Sequence, residues 1–282
     1  MRRASETGLT SACVARSLAL LGVLSAALQS GGAVAQMPMA PDCPQPVYLT
    51  FDTGHMGVAP WIAQVLQRQQ VKVTFFVAQE KTQQGDGTLG RTWAPWWAAR
   101  AGEGHEFASH TFDHVYWQSD LPGSEARFKM RPSAGAQAGQ TLKWSPQDYC
   151  DSLQQASTRI ERLTGRASLP LFRAPGGKTS PRLLAAAKSC GYAHVGWAAA
   201  GFLGDELPSE KFSNAYLLAQ AVAKIRAGDV LMAHLGIWSR SDPWAPAVLE
   251  PLIEQLKAKG FCFATLRDHP DYRRWIEQHR PR

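Results

Sequence analysis

Short apolar runs rich in β-branched and aromatic residues recur along the chain, and stretches with helical periodicity separate them. The runs are "VYLTF" (47–51), "VKVTFFVA" (71–78), "HEFASH" (105–110), "LFRAP" (171–175), "YAHVGWAA" (192–199), "VLMAHL" (230–235) and "FCFATL" (261–266). Each has the length of a strand. Strands alternating with helices imply a parallel sheet, because parallel neighbours need crossover connections. So many units in one domain fit a closed or nearly closed α/β barrel; a doubly wound open sheet is the alternative.

The helical stretches carry their own boundary signals. After Ser145, the residues Tyr149, Leu153, Ala156, Ile160 and Leu163 form one stripe, with Pro146 suited to the first turn and Gly165 to the end. Ser180-Pro181 opens a second helix that Gly191 closes. "NAYLLAQAVAKIRAG" (214–228) and "AVLEPLIEQLKAKG" (247–260) end in basic residues and glycine, as helix C-termini favour. One segment breaks the rhythm. Residues 118–144 are polar and rich in Gly, Pro and Ser, which predicts a long loop able to cover a site at the end of the third strand.

Composition narrows the class. The chain has 282 residues, 45% of them hydrophobic and 19% charged, which describes a folded protein and not a disordered one. At the N-terminus, Arg2, Arg3 and Arg16 precede the apolar run "LALLGVLSAAL" (18–28) and the small residues "AVA" (33–35). This pattern predicts a signal peptide over 1–35 and a mature domain over 36–282 that is exported, periplasmic or secreted. The apolar run is well short of the roughly 20 residues that span a bilayer, so no stable membrane insertion is expected after cleavage. Losing three arginines and Glu6 lowers the formal charge from +7 to about +5. No block of like charges remains, so nucleic acid is not an expected partner. Cys43, Cys150, Cys190 and Cys262 remain, and their three possible pairings stay open.

Reactive residues punctuate the strands at one end. Asp52 follows the first, His110 ends the third, Arg173 lies late in the fourth and His234 late in the sixth. Barrel enzymes build their sites at the carboxyl ends of strands, so this shared location points to an enzyme. His110 and His114 lie four residues apart, a spacing at which two imidazoles can share a metal ion. Arg173 sits in an apolar strand and needs an acidic partner there. The two glycines after it, Gly176 and Gly177, allow a tight turn whose N–H groups can face an oxyanion. Taken singly, each residue also has an ordinary structural reading. His234 in its apolar run would be a satisfied core histidine. The tryptophans after strands, among them Trp93, Trp96, Trp97, Trp117, Trp144, Trp197, Trp238 and Trp244, would be core residues or sugar-stacking platforms.

Together the residues resemble a known family. Over roughly 45–268 the chain is similar to the polysaccharide deacetylases of carbohydrate esterase family 4, which carry the NodB homology domain. "TFDTG" (50–54) looks like T-F-D-D-G; "HTFDH" (110–114), "RAPGG" (173–177) and "LMAH" (231–234) match the later motifs in order. The resemblance implies a distorted (β/α)7 barrel and metal-dependent removal of N- or O-acetyl groups from an acetylated polysaccharide. It implies that Asp52 is the general base, that Arg173 orients it and that His234 protonates the leaving group. It further implies that His110 and His114, with position 53, ligate a divalent metal, most of all zinc, with cobalt or manganese possible. The backbone near Gly176 would stabilise the oxyanion, and Trp197 and His55 would line the substrate cleft. A monomer acting on peptidoglycan amino sugars is expected.

Two departures stand out. Thr53 occupies the place of the family's second aspartate, a metal ligand, and leaves the site without an anionic ligand. The family's acidic partner for the arginine is also missing after "VGW", where the chain reads "AAAGFLGDE" (198–206), so Asp205 is the expected replacement. The competing readings are a glycan-binding relative without turnover and a small-molecule amidohydrolase.

Overall fold

The structure is a computed structural model and describes residues 43–279. The signal peptide expected over 1–35 lies outside the described residues. In chain order the elements are β1 (Pro46–Asp52), α1 (Ala59–Arg68), β2 (Thr74–Val77), α2 (Ala94–Gly102), β3 (Glu106–Ser109), β4 (Val115–Asp120), β5 (Phe128–Pro132) and β6 (Leu142–Trp144). They continue with α3 (Pro146–Thr164), β7 (Leu171–Phe172), α4 (Pro181–Ser189), β8 (Ala193–His194), α5 (Asn214–Lys224), β9 (Val230–His234), α6 (Leu249–Ala258), β10 (Cys262–Phe263) and α7 (Pro270–Gln278).

All seven apolar runs contribute a strand to one parallel sheet, ordered β10-β1-β2-β3-β7-β8 with β9 also paired to β1. The sheet curls into a half-barrel. Between β8 and β9, the segment 198–203 takes the place of a regular strand. There the Ala198 N–H donates to Val230 O at 3.1 Å and the Leu203 N–H to Met232 O at 3.2 Å.

Alternate residues of each strand serve two cores, as the period of two requires. Phe51, Phe75 and Phe107 face the helices and pack with Trp97, Ile62 and Leu252. Tyr48, Phe76, Ala108 and Val195 face the inside of the barrel with Leu171 and Leu266. Asp52 and His234 fall on this inner face by the same parity. Their Cα atoms are register partners across β1 and β9, which makes them adjacent at the carboxyl end of the sheet.

The helix caps follow the sequence. The Ser145 side chain accepts from the Asp148 N–H while the Asp148 carboxylate accepts from the Ser145 N–H, a reciprocal cap at the start of α3. Gly165 ends α3 in the left-handed region at φ 67°. Ser180 caps α4.

The segment 118–144 does not form the expected long loop. With residues 115–117 it holds a three-stranded antiparallel sheet in the order β4-β5-β6. Phe128, Met130 and Pro132 of β5 are buried, whereas Lys129 and Arg131 are exposed. The buried Phe128 and Met130 pack with Tyr149, Leu153 and Leu183 of α3 and α4. The alternation spans only five residues, and the surrounding Gly, Pro and Ser hide it. Two disulfides choose among the pairings left open by sequence: Cys43–Cys262 ties the start of β1 to β10, and Cys150–Cys190 ties α3 to the end of α4.

Candidate active site

β1 delivers Asp52 to the inner face, where it is 3% exposed. Arg173 follows β7 and is fully buried. Its Nη1 donates to Asp52 Oδ1 at 2.6 Å and to Thr50 Oγ1 at 2.9 Å. Thr50 can accept there because its own proton goes to Leu231 O at 2.6 Å. Arg173 Nε and Nη2 donate to Val195 O at 3.2 Å and Gly196 O at 3.3 Å, and the Phe76 ring lies 4.1 Å from the guanidinium carbon. Every face of the buried cation therefore has a partner. Burial alone would raise the Asp52 pKa, but the charges of Arg173, His110 and His234 together outweigh it and hold the carboxyl below its ordinary value.

The expected pairing of Arg173 with Asp205 is not what forms. Asp205, 4% exposed, pairs with His234: one carboxylate oxygen accepts from the His234 backbone N–H at 2.6 Å, and both lie 3.1 Å from His234 Nδ1. The reason is topological. Asp52 is already on the inner face beside Arg173, while the 198–203 segment runs along β9 and sets Asp205 down at His234. Burial would lower the His234 pKa, but Asp205, Asp52 and Glu206 outweigh it and raise it to about 9. With Nδ1–H given to Asp205, the Nε2–H of the imidazolium is left to face the cleft.

β3 ends at Ser109 and hands His110 to the same inner region, 2% exposed. Its Nδ1 lies 2.9 Å from Arg173 O, an acceptor only, so the proton is on Nδ1 and the Nε2 lone pair is free. That Nε2 lies 3.6 Å from Asp52 Oδ2. His114 adopts φ 48°, and its ring centroid is 4.8 Å from that of His110. Its Nδ1 meets Ser133 Oγ at 2.6 Å, and the Ser133 proton goes to His114 O at 3.1 Å, so the imidazole donates and its Nε2 is free as well. Burial, as the largest influence, lowers the His110 pKa to about 4 and keeps it neutral. Two imidazoles with Nδ1–H held by oxygen acceptors and Nε2 turned elsewhere are the kind of donor pair that a zinc-like ion takes. Among the described residues, no group of three His, Cys, Asp or Glu side chains is placed to hold a metal ion.

Thr53 is buried beside these groups, and its Oγ1 accepts from the Ala78 N–H at 3.1 Å, stitching β1 to β2. His55 Nδ1 accepts from the Gly57 N–H at 2.9 Å, so the neutral ring carries its proton on Nε2. The imidazole lines a cavity of about 280 Å³ with Trp61, Asp205, His234 and Trp244. Trp238, 62% exposed, stands edge-on to it at 4.9 Å. Gly176 has φ 65°, and a Cβ there would come 3.0 Å from the Tyr116 ring; a Cβ on Gly177 would come 2.7 Å from Trp197. Only glycine lets this turn sit so close to the site. Trp97 is fully buried core, and Trp93 and Trp96 pack against it, so these three are not sugar platforms.

The model of the polysaccharide deacetylase family matches residues 40–195, more than half of the chain. The chain belongs to the polysaccharide deacetylase family. The family accounts for the hydrolase reading, since its members cleave acetyl amides or esters of polysaccharides. The peptidoglycan-N-acetylmuramic acid deacetylase PdaA of Bacillus subtilis is 26% identical over 223 residues, 79% of this chain and 70% of that protein. The chitooligosaccharide deacetylase of Azorhizobium caulinodans is 24% identical over 230 residues, 78% of this chain and 92% of that protein. Among solved structures, the family 4 acetyl xylan esterase from Clostridium thermocellum in complex with a cobalt ion superposes with a TM-score of 0.59. It is 21% identical, with 79% of this chain and 89% of that chain covered, and shares the fold.

Three residues at the site escaped the sequence reading: Thr50, Ser133 and Glu80, whose Oε1 lies 3.9 Å from His114 Nδ1. Thr50 has a signal in retrospect, since it shares the inward parity of Asp52. Ser133 lies in the segment read as a loop. Glu80 stands in a polar stretch, "AQEKTQQ", that reads as solvated.

Proposed function

We propose that this chain is an exported, metal-dependent deacetylase acting on an acetylated cell-wall or extracellular polysaccharide, with N-acetylated peptidoglycan amino sugars as its substrate class. The observation that carries this reading is the pair of oppositely tuned groups side by side on β1 and β9: Asp52 held ionised by Arg173, and His234 held protonated by Asp205. Hydrolysis of an acetamide needs one proton taken from water and one given to the leaving nitrogen. Asp52 accepts the first and His234 Nε2 donates the second. Arg173 keeps Asp52 charged and fixed, and the turn offers the Gly176 backbone N–H to the developing oxyanion, the Gly177 N–H being given to Ala174 O. A divalent ion, zinc above all with cobalt or manganese as substitutes, would be held by His110 and His114 and would supply Lewis-acid polarisation of the acetyl group. Trp238 and Trp61 give the cleft exposed indole faces for sugar rings.

The relatives named for muramic acid and for chitooligosaccharide support an amide of an amino sugar as the bond cleaved. The basic, apolar N-terminus and the two disulfides support export. Purified protein supplied with zinc, cobalt or manganese is expected to release acetate from peptidoglycan or N-acetylglucosamine oligomers, and Asp52→Asn to abolish the release. Thr53, whose hydroxyl is committed to Ala78, favours the second reading of a glycan-binding relative. Retention of these glycans without acetate release under any of the three metals would establish that reading instead.

A further inference from the structure

Residues 121–144 carry four basic side chains, Arg127, Lys129, Arg131 and Lys143, and a single acidic one, Glu125. Folding gathers three of the four cations on one surface. Phe128, Met130 and Pro132 of β5 are buried, so by the period of two Lys129 and Arg131 point outward, and both are exposed. Lys143 of β6 is exposed as well and is the register partner of Lys129. On β4 the partners of Arg131 and Lys129 are Tyr116 and Ser119, neither of them acidic. We propose that the outward face of β4-β5-β6 binds the carboxylates of an acidic polysaccharide and so holds the polymer beside the active site; this rests on the polysaccharide reading of the substrate.

Like charges directly opposite on neighbouring strands destabilise a sheet. Lys129 and Lys143 are placed in that way, and Arg131 lies roughly 7 Å further along β5 on the same face. Arg127 pairs with Glu125 at 3.9 Å, but none of the other three makes an ion pair or a side-chain hydrogen bond among the described residues. Three cations that neutralise nothing within the chain are complementary to a partner that brings negative charge. Guarding a sheet edge accounts for Lys143, since β6 is an edge strand. It does not account for Lys129 and Arg131, which stand on the central strand.

The face is continuous with the site. The Tyr116 ring, on the strand position opposite Arg131, lies 4.9 Å from the His114 ring and against the turn at Gly176. β5 runs from Lys129 and Arg131 into Ser133, whose Oγ meets His114 Nδ1. On the other side of the sheet Phe128 and Met130 pack on α3 and α4, so the cations have a fixed support. Carboxylates suit this surface, because the arginine fork and the lysine ammonium groups both form charge-assisted hydrogen bonds with them. Peptidoglycan supplies carboxylates on its stem peptides, whereas an N-acetylglucosamine oligomer carries none.

Retention on the polymer, not turnover, is the readout. Purified protein is sedimented with insoluble peptidoglycan, either native or with its carboxyl groups converted to methylamides. Wild type is expected to bind the native polymer at least tenfold more tightly than the amidated one, and less tightly as salt is raised. Lys129→Gln/Arg131→Gln/Lys143→Gln is expected to lose at least tenfold in affinity for the native polymer and to lose little more on amidation. Lys211→Gln/Lys224→Gln/Arg274→Gln removes the same charge elsewhere in the chain and is expected to bind as wild type does. Thermal unfolding supplies the folding control: the first variant is expected to melt no lower than wild type, since it removes a like-charge pair. Acetate release, recorded in parallel, answers the deacetylase reading separately. Carboxylate-dependent binding without release under any metal would refute turnover and uphold the surface. Wild type that fails to bind or ignores amidation, a first variant that binds as wild type does, or an equal loss in the second variant overturns the proposal. Tighter retention on vesicles of anionic phospholipid than on peptidoglycan would assign the face to a membrane surface and overturn it as well.

Discussion

The two acid–base pairs of the site invite comparison, because each joins a buried carboxylate to a cation and each has the opposite consequence. In Asp52–Arg173 the cation is permanent, so the carboxylate is the member whose protonation is controlled, and its pKa falls. In Asp205–His234 the cation is titratable, so the imidazole is controlled, and its pKa rises to about 9. The same interaction thus yields a proton acceptor in one place and a proton donor in the other. Partner choice decides the role, and it is made by topology: Arg173 arrives just after β7, and Asp205 along the segment bordering β9.

The comparison can be broken most severely at Arg173. Arg173→Met leaves Asp52 buried without its cation, and losing one partner of a buried pair costs about 3–5 kcal/mol. Denaturant unfolding is expected to show that loss, and acetate release to fall by about 10²–10⁴ as the base loses its charge and orientation. A variant of wild-type stability would mean that the pair does not hold Asp52. His114 offers a smaller effect. Ser133→Ala removes the acceptor that fixes the imidazole, and loss of such an outer partner is expected to weaken metal binding by about 10–100-fold with little change in metal-free stability.

The gentlest test concerns stability against pH. The folded pKa of His234, about 9, lies above the ordinary histidine value near 6.5. Its contribution is therefore complete below about pH 6.5 and is lost as pH rises through about 9. The melting temperature of His234→Gln is expected to fall furthest below that of wild type in acid and to converge with it above pH 9. Asp52 runs the other way: its contribution is present above the ordinary carboxylate range and is lost on acidification through its lowered pKa.

Much of this was legible in the chain. Each apolar run became a strand because burial on both faces leaves no room for alternation, and Asp52, His110, Arg173 and His234 came together because all stand at carboxyl strand ends. Pairing was not legible. Arg173 reaches Asp52 across a separation of 121 residues, and nothing local distinguishes Asp52 from Asp205 as its partner. The β4-β5-β6 sheet was hidden by its turn residues, and Ser133 with it. Glu80 was hidden by polar neighbours, because a carboxylate turned inward looks in sequence like one turned to water.

The account turns on His234 being the proton donor through Asp205. The most direct measurement is the pH dependence of kcat for acetate release in wild type and in Asp205→Asn. Wild type is expected to lose activity as pH rises through about 9, when His234 gives up its proton. In Asp205→Asn that alkaline limb is expected to move down toward the ordinary histidine value. An alkaline limb that stays in place after the substitution would contradict the account.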